Sequence, residues 1–353
     1  MITSPTAHPT KLTSDFDILP LEDVQPQWNA LIASDPAASL YHREAWLEVL
    51  RRAFAVHPLV AIVGDRDSIE AGCLFATRGI PLRRRLVSLP FTDFCPPLAI
   101  GGGAREDLLR RLASAPLSSA NFEIRGVAAS SPWQVLDHFR HWQLDLSRTF
   151  GAIVKDAEHG ARRNIRRALD AGVTIERSVD IAAIRAFFKL QLENRRRLGV
   201  PSQPMQFFRI VHEVFAARES IEVWLASHLG RYVAAVVVLR DGDVLHARWS
   251  ARSINGQAGA GHLIYMSIAE SWAQRARILD LGRTDFRNIG LARFKRQLGA
   301  DSMPLPYSYL PQIPAVTSAE HLSGLWAVAS EVWRNLPLSV THALGSLTYR
   351  YLA

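Results

Sequence analysis

The stretch from Asp280 to Ala300 places many polar side chains directly after an apolar strand, where proteins commonly build functional sites. Lys295 stands out in it, because it is the only lysine after Lys189 in a chain that otherwise uses arginine. A compact ammonium group can stabilise the negative charge that develops on one oxygen when a carbonyl is attacked. Lys295 is therefore a candidate catalytic residue, with an ordinary surface lysine as the alternative.

A glycine-containing loop between a predicted strand and a predicted helix is the second candidate, at residues 255–261. Gly256, Gly259 and Gly261 lack a Cβ atom, so the backbone can turn tightly there and present its N–H groups. The following helix directs its positive end at the same point, which suits a phosphate or a carboxylate. The alternative is that these glycines serve only the turn.

Residues 158–172 predict a helix with a strongly basic face. Its guanidinium groups lie one turn apart in two pairs, Arg162 with Arg166 and Arg163 with Arg167. The stripe expected to be buried is Ala161, Ile165, Ala168 and Leu169. Four such groups form a surface that recognises phosphate, and a solvated helix face is the alternative.

The other polar clusters give weaker signals. The run Arg195-Arg196-Arg197 ends a predicted helix, where the helix dipole alone favours cations. His138 and His141 have the spacing of metal ligands, but no third ligand accompanies them, so no metal is expected. Neither a Ser–His–Asp arrangement nor a phosphate-binding P-loop can be assembled from the sequence.

The composition indicates a soluble globular protein with two domains. The chain has 353 residues, of which 48% are hydrophobic and 21% charged, and this excludes a disordered protein. A net charge of +8 favours anionic partners such as a phosphorylated cofactor, a nucleic acid or an acidic membrane face. Two cysteines exclude a disulfide framework, and the absence of a secretion signal or an apolar span predicts a cytoplasmic protein.

Both halves of the chain show one order of predicted elements: helix, antiparallel strands, glycine loop, helix and strand. In the first half the predicted strands are 59–63, 71–77, 86–89 and 122–126, with helices within 22–54 and at 105–113. In the second half a helix from residue 181 precedes strands at 223–228, 233–240 and 244–250, and a helix at 262–276 precedes a strand at 278–282. The repetition indicates a duplicated α/β unit.

This order resembles the GNAT acyltransferase fold, and its duplication is similar to the FemAB-like group, which includes the BioF2-like acetyltransferase domain. The segments that carry the resemblance most specifically are 162–173, 193–201 and 280–300. Residues 86–91 and 333–338 are further similar to FemAB-type proteins found beside exosortase and exopolysaccharide genes. The implied fold class is α/β (α+β), with tandem GNAT-like domains that each hold a mixed, mostly antiparallel sheet flanked by helices.

The resemblance also implies a chemistry and a set of site residues. Lys295 aligns with the lysine of a Phe-Lys pair that stabilises the transition state in Fem-type enzymes. The candidate proton acceptors for such a transfer are Asp285 and the substrate's own phosphate, and the choice between them stays open. The residues expected to bind a cofactor, where GNAT enzymes cradle a pyrophosphate, are Gly259, Gly261 and His262. The residues expected to bind the substrate are Arg162, Arg163, Arg166, Arg167, Arg248 and Arg283.

The expected division of the chain is a flexible N-terminus at 1–15, a first GNAT-like domain at 16–150, a second at 151–310 with the donor site, and a helical tail at 311–353. The tail either packs on the protein body or attaches the protein peripherally to the inner face of the membrane.

The expected function is transfer of an acyl group from acyl-CoA, or of an aminoacyl group from aminoacyl-tRNA, to an amine of a cell-envelope or exopolysaccharide precursor. The donor stays open between these two, and no metal is needed. The alternative is a non-catalytic GNAT-like scaffold protein in a polysaccharide-assembly system.

Overall fold

The computed structural model describes residues 10–13, 16–78, 85–115, 121–254, 256–314, 325–338, 340–342 and 344–345. The chain forms two compact units, the first from Met1–Asp137 and Leu305–Pro314, the second from His138–Pro304 and Ala315–Ala353. The boundary thus falls after Asp137, whereas the sequence predicted it after residue 150, and the chain returns to the first unit at Leu305. Most of the predicted flexible N-terminus lies outside the described residues, but Thr10–Thr13 form a strand.

The described part of the first unit contains a sheet with three α-helices. Its helices are α1 (Gln25–Ser34), α2 (Glu44–Phe54) and α3 (Gly102–Ser114). Its first seven strands are β1 (Thr10–Thr13), β2 (Phe16–Pro20), β3 (Leu59–Asp65), β4 (Ser68–Arg78), β5 (Arg85–Val87), β6 (Leu98–Ala99) and β7 (Asn121–Arg125). Neighbouring strands run antiparallel from β1 to β5, with β6 beside β4, and β5 pairs with β7 in parallel.

The buried turn before α2 is held by His42. Its Nδ1 accepts the N–H of Ser39 at 3.1 Å, and its Nε2 lies 2.9 Å from the carbonyl oxygen of Pro96. Nδ1 must therefore be unprotonated and Nε2 must donate, so both nitrogens of the neutral ring are satisfied. Burial lowers the pKa of His42 to about 4, because the cost of removing an imidazolium from water outweighs the hydrogen bond to Pro96 and the charge of Asp35, both of which raise the pKa.

This burial makes stability depend on pH. Between pH 6.5 and about 4 the unfolded chain binds a proton at His42 that the folded chain does not, so stability falls as the pH is lowered through this window and levels off below it. We expect a loss of about 3 kcal/mol, read as the melting temperature against pH. His42→Asn should flatten the profile, and His57→Gln at an exposed site should leave it unchanged. Equal profiles for His42→Asn and the unaltered protein would contradict this.

The second unit holds a longer sheet covered by helices on both faces. Its helices are α4 (Phe150–Asp156), α5 (His159–Asp170), α6 (Ile181–Leu198), α7 (Met205–Ala216), α8 (Ala260–Trp272), α9 (Ile289–Gln297) and α10 (Leu325–Asn335). Its strands are β8 (Gln134–Asp145), β9 (Thr174–Ser178), β10 (Ile221–His228), β11 (Arg231–Asp241), β12 (Val244–Arg252), β13 (Ile278–Asp285) and β14 (Asp301–Leu310). The first residues of β8 and the last of β14 belong to the first unit, where β14 pairs with β7.

The strand order of the second unit is β8-β13-β12-β11-β10-β9, and every neighbouring pair is antiparallel except β12 with β13. β11 is buried without interruption from Val233 to Leu239, as expected for a strand covered on both faces. Val236 and Val238 belong to the core that α8 completes. The rings of Phe207 and Phe208 in α7 meet Trp249 of β12 edge-on.

The described part of the C-terminal tail packs against α6. A Cβ atom on Gly199, which ends α6, would lie 2.8 Å from the carbonyl oxygen of Ser330, so the tail approaches this turn closely. The ring of His342 lies edge-on to Phe188 at 5.5 Å. These contacts favour packing over membrane attachment for this part of the tail, and residues 315–324 and 346–353 lie outside the described residues. Among the described residues, no helix has the length and apolar character that crossing a bilayer requires.

Candidate active site

The parallel strands β12 and β13 part from one another inside the second unit. They pair at three positions, which end with His246 opposite Asp280. β12 continues to Arg252 and β13 to Asp285, and no further pairing joins these two strands, both of which are described throughout. We call the opening beyond His246 and Asp280 the fork.

Each strand of the fork carries a β-bulge close to the point of divergence. In β12 the register shift leaves Arg248 as the extra residue opposite β11. In β13 the shift against β8 leaves Leu281 as the extra residue, and Gly282 beside it has φ of +71°. Bulges re-aim side chains and backbone groups, and they occur often beside active sites.

Lys295 is buried at this fork, with 5% of its surface exposed. Its Nζ donates to the carbonyl oxygens of Gly282 at 2.9 Å and of Arg283 at 3.1 Å. The structure therefore does not show the surface lysine of the alternative interpretation. Phe294, the preceding residue in α9, places its ring 4.6 Å from that of His262, so packing against α8 fixes the helix that carries Lys295.

A buried carboxylate closes the base of the fork. Asp280 receives His141 Nε2 of β8 on Oδ1 at 2.6 Å and His246 Nδ1 of β12 on Oδ2 at 2.8 Å. Burial alone would raise the pKa of Asp280, but the two imidazoles outweigh it and hold the pKa far below its ordinary value. We call His141, Asp280 and His246 the fork triad.

At the far end of β13, Asp285 pairs with His138. Asp285 Oδ2 lies 3.3 Å from His138 Nε2, and its Oδ1 accepts the backbone N–H of Arg287. About a third of the Asp285 side chain is exposed, so a substrate amine can approach it. The guanidinium of Arg283, two residues earlier, stands over the ring of Phe139 at 4.7 Å.

The glycines at the start of α8 have different surroundings. Gly259 is the N-cap residue with φ of +90°, and a Cβ atom there would lie 1.9 Å from the carbonyl oxygen of Asn164 in α5. This close approach accounts for Gly259 without a bound anion. A Cβ atom on Gly261 would only touch the ring of Phe294 at 3.7 Å. His262 Nε2 lies 3.2 Å from Gln297 Oε1, and burial lowers the pKa of His262 more than this contact raises it.

The basic helix is α5, and its four arginines do not act alike. Arg162 donates to the carbonyl oxygen of Lys155 at 2.9 Å, so it caps the end of α4. All four are exposed, and Arg163, Arg166 and Arg167 lie on the face that is open to a substrate. The prediction that Leu169 is buried is wrong, because 55% of it is exposed. Ala161 and Ala168 are the buried residues, and the small side chain of Ala168 allows the start of α8 to come close.

The structure brings one group of predicted residues together. Lys295 contacts the backbone of Arg283, and its neighbour Phe294 contacts Gly261 and His262. The helix α5 packs against α9, which carries Lys295, and its arginines are exposed. Sequence reasoning missed the fork triad, because it considered His138 and His141 only as metal ligands and, having set a metal aside, gave them no other role. Among the described residues, no group of His, Cys, Asp or Glu is arranged to hold a metal ion.

Comparisons with known proteins bear on the domain family and on the fold. Residues 155–296 match the family described as "Acetyltransferase (GNAT) domain". No curated protein matches the sequence closely enough to give a relative.

Three solved structures share the fold at low sequence identity. FemX has a TM-score of 0.61 at 13% identity, with 85% of this chain and 96% of that chain covered. The C-terminal domain of a putative lysylphosphatidylglycerol synthetase from Agrobacterium fabrum has a TM-score of 0.54 at 13% identity, covering 88% and 96%. A tandem GNAT protein from the clavulanic acid biosynthesis pathway has a TM-score of 0.50 at 12% identity, covering 83% and 98%.

The predicted fold class is confirmed: the protein is mixed α/β with mostly antiparallel sheet flanked by helices, and a tandem GNAT protein shares the fold. Residues 155–296, within the second unit, match the GNAT acetyltransferase domain family, and this match supports an acyltransferase.

Proposed function

We propose that this acyltransferase moves an acyl group from acyl-CoA, or an aminoacyl group from aminoacyl-tRNA, to an amine of a cell-envelope or exopolysaccharide precursor. The single observation that carries the proposal is the buried ammonium of Lys295, held on two backbone carbonyls at the fork. A cation fixed in advance stabilises the oxyanion of an acyl-transfer transition state without reorganising during the reaction.

Asp285 would take the proton of the attacking amine in this scheme. Its carboxylate lies at the open end of β13, where about a third of it is exposed to an incoming amine. The amine then attacks the carbonyl carbon of the ester or thioester, and the oxyanion forms near Lys295. When the oxyanion collapses, the bond to sulfur or oxygen breaks, and the leaving thiolate or alkoxide takes up the proton that Asp285 received from the amine. This sequence needs no covalent intermediate on the protein.

The donor is the open question, and a binding experiment separates the two candidates. Exposed guanidinium groups on α5 suit the phosphates of either donor, whereas Gly259 is explained by its contact with α5 alone. We would titrate the protein with CoA and with a total tRNA fraction by calorimetry at two salt concentrations. Binding of tRNA that weakens with salt, without CoA binding, supports aminoacyl transfer, and the reverse supports acyl-CoA. Binding of neither contradicts both donors and favours a scaffold.

The substrate role of α5 can be tested by neutralising its exposed arginines. Replacing Arg163 and Arg167 together by Gln should raise KM for the anionic substrate roughly tenfold or more, because each charge-assisted contact is worth roughly 1 kcal/mol or somewhat more. The melting temperature should not change, since both side chains are exposed. Arg185→Gln with Arg209→Gln, at exposed sites on α6 and α7, is the matched control. A KM and a salt dependence equal to those of the control would show that α5 is only a solvated face.

A further inference from the structure

The fork triad lies at the last residue pair before β12 and β13 diverge. It joins three adjacent strands, because His141 belongs to β8, Asp280 to β13 and His246 to β12. All three side chains are buried. The scheme of acyl transfer above uses none of them.

The same carboxylate also holds the bulge of β13. Asp280 Oδ1 accepts the N–H of Gly282 at 2.7 Å, and the register of β13 against β8 shifts between these two residues. The carbonyl of Gly282 accepts Lys295 Nζ at 2.9 Å. One glycine is therefore held on its N–H side by the triad and on its C=O side by the ammonium.

A buried charged network is a poor way to gain stability. Removing a carboxylate from water costs several kcal/mol, and the attraction of its partners often only offsets that cost, so an apolar replacement would be about as stable. The network does, however, hold the Asp280 carboxylate in a fixed position. Three hydrogen bonds from three directions define where Asp280 stands, and its contact with Gly282 defines where the bulge stands.

We propose that His141, Asp280 and His246 are positioning residues that fix the ammonium of Lys295 in the fork through the bulge at Gly282. The proposal rests on the proposed function in one respect, that the placement of this ammonium matters for acyl transfer. The placement itself is a physical property of the folded protein and can be measured without a substrate.

The experiment follows the lysine ammonium groups by NMR in protein labelled with ¹⁵N-lysine. The chain has four lysines, so the signal of Lys295 is identified by its loss in Lys295→Arg. A buried, hydrogen-bonded ammonium exchanges its protons slowly, and we expect one such signal. In Asp280→Asn it should move and exchange at least tenfold faster, because the bulge carbonyls are no longer held in place. Asp243→Asn, at an exposed aspartate that pairs with Arg277, is the matched control and should leave the signal unchanged.

A folded Asp280→Asn protein whose Lys295 signal keeps its position, and whose exchange rate stays within twofold, would overturn the proposal. If Asp280→Asn does not fold, His246→Gln decides by the same measurement: a moved, faster-exchanging signal supports the proposal and an unchanged signal overturns it. In turnover, Asp280→Asn should lower kcat about tenfold with KM unchanged. If the Lys295 signal moves and exchanges faster in Asp280→Asn while Lys295→Ala keeps full activity, the triad does position the ammonium, but the proposed catalytic role of Lys295 is wrong.

Discussion

Lys295→Ala should lower kcat by about 10²–10³ with little change in KM, as expected when a preorganised group acts mainly on the transition state. The substitution removes the cation at the fork, and its two carbonyl partners, those of Gly282 and Arg283, lose a charged donor. Turnover would be measured with the donor that the calorimetry identifies. Lys189→Ala, at an exposed lysine on α6, is the control and should keep full activity.

The burial of Lys295 adds a structural effect that must be separated from the catalytic one. Losing two hydrogen bonds from a charged group should cost on the order of 2 kcal/mol of stability, so the melting temperature of Lys295→Ala falls as well. Lys295→Gln retains an N–H donor and should recover part of the stability without recovering kcat. Lys295→Arg should recover only part of kcat, because a planar guanidinium does not fit the place of a compact ammonium. If Lys295→Gln restores kcat together with stability, the lysine is structural.

Gly259→Ala should destabilise the protein by about 3–5 kcal/mol, the largest stability effect that we expect from a single methyl group. Two causes act together: the residue has φ of +90°, and its new Cβ atom would meet the backbone of Asn164 at 1.9 Å. Neither atom can move without shifting α5 or α8. The measurement is the melting temperature, which should fall by roughly 10 °C.

Gly261→Ala is the matched control for this prediction. It adds the same methyl group two residues later in the first turn of α8, where the nearest atom is a ring carbon of Phe294 at 3.7 Å. Its melting temperature should stay the same or rise slightly, because alanine favours the helix over glycine. Equal losses in the two variants would mean that the close approach of α5 does not explain Gly259.

The sequence predicted the central strands of the second unit well, because their signal is local. The runs that became β10, β11 and β12 are apolar and are separated by turns at Gly230 and at Asp241-Gly242, which mark where one strand ends and the next begins. The start of α8 was predicted within two residues for the same reason, since glycine punctuates the loop before it.

β8 and the fork triad could not be read from the sequence, because the residues that justify them are far apart along the chain. Apolar and polar residues alternate only weakly along β8. The strand also carries His138, Arg140 and His141, and such polar residues by themselves argue against a strand inside a sheet. The hydrogen-bond partner of His141 is Asp280, which lies 139 positions later in the chain, so this pair is recognised only in the folded structure. The start of α9, in contrast, had a readable signal that was missed: Asn288 caps the helix by accepting the N–H of Leu291 at 3.1 Å.

The chain returns to the first unit at Leu305, and this determines when the first unit can complete its sheet during synthesis. Residues 307–310 supply the strand beside β7, and the buried hydroxyl of Ser308 receives the N–H of Ala129 and donates to the carbonyl of Val127. During synthesis these contacts cannot form until the ribosome has translated the sheet of the second unit. The first unit therefore lacks the strand beside β7 until the second unit has been translated. During that interval the unpaired edge of β7 is exposed and is the surface that needs protection from aggregation.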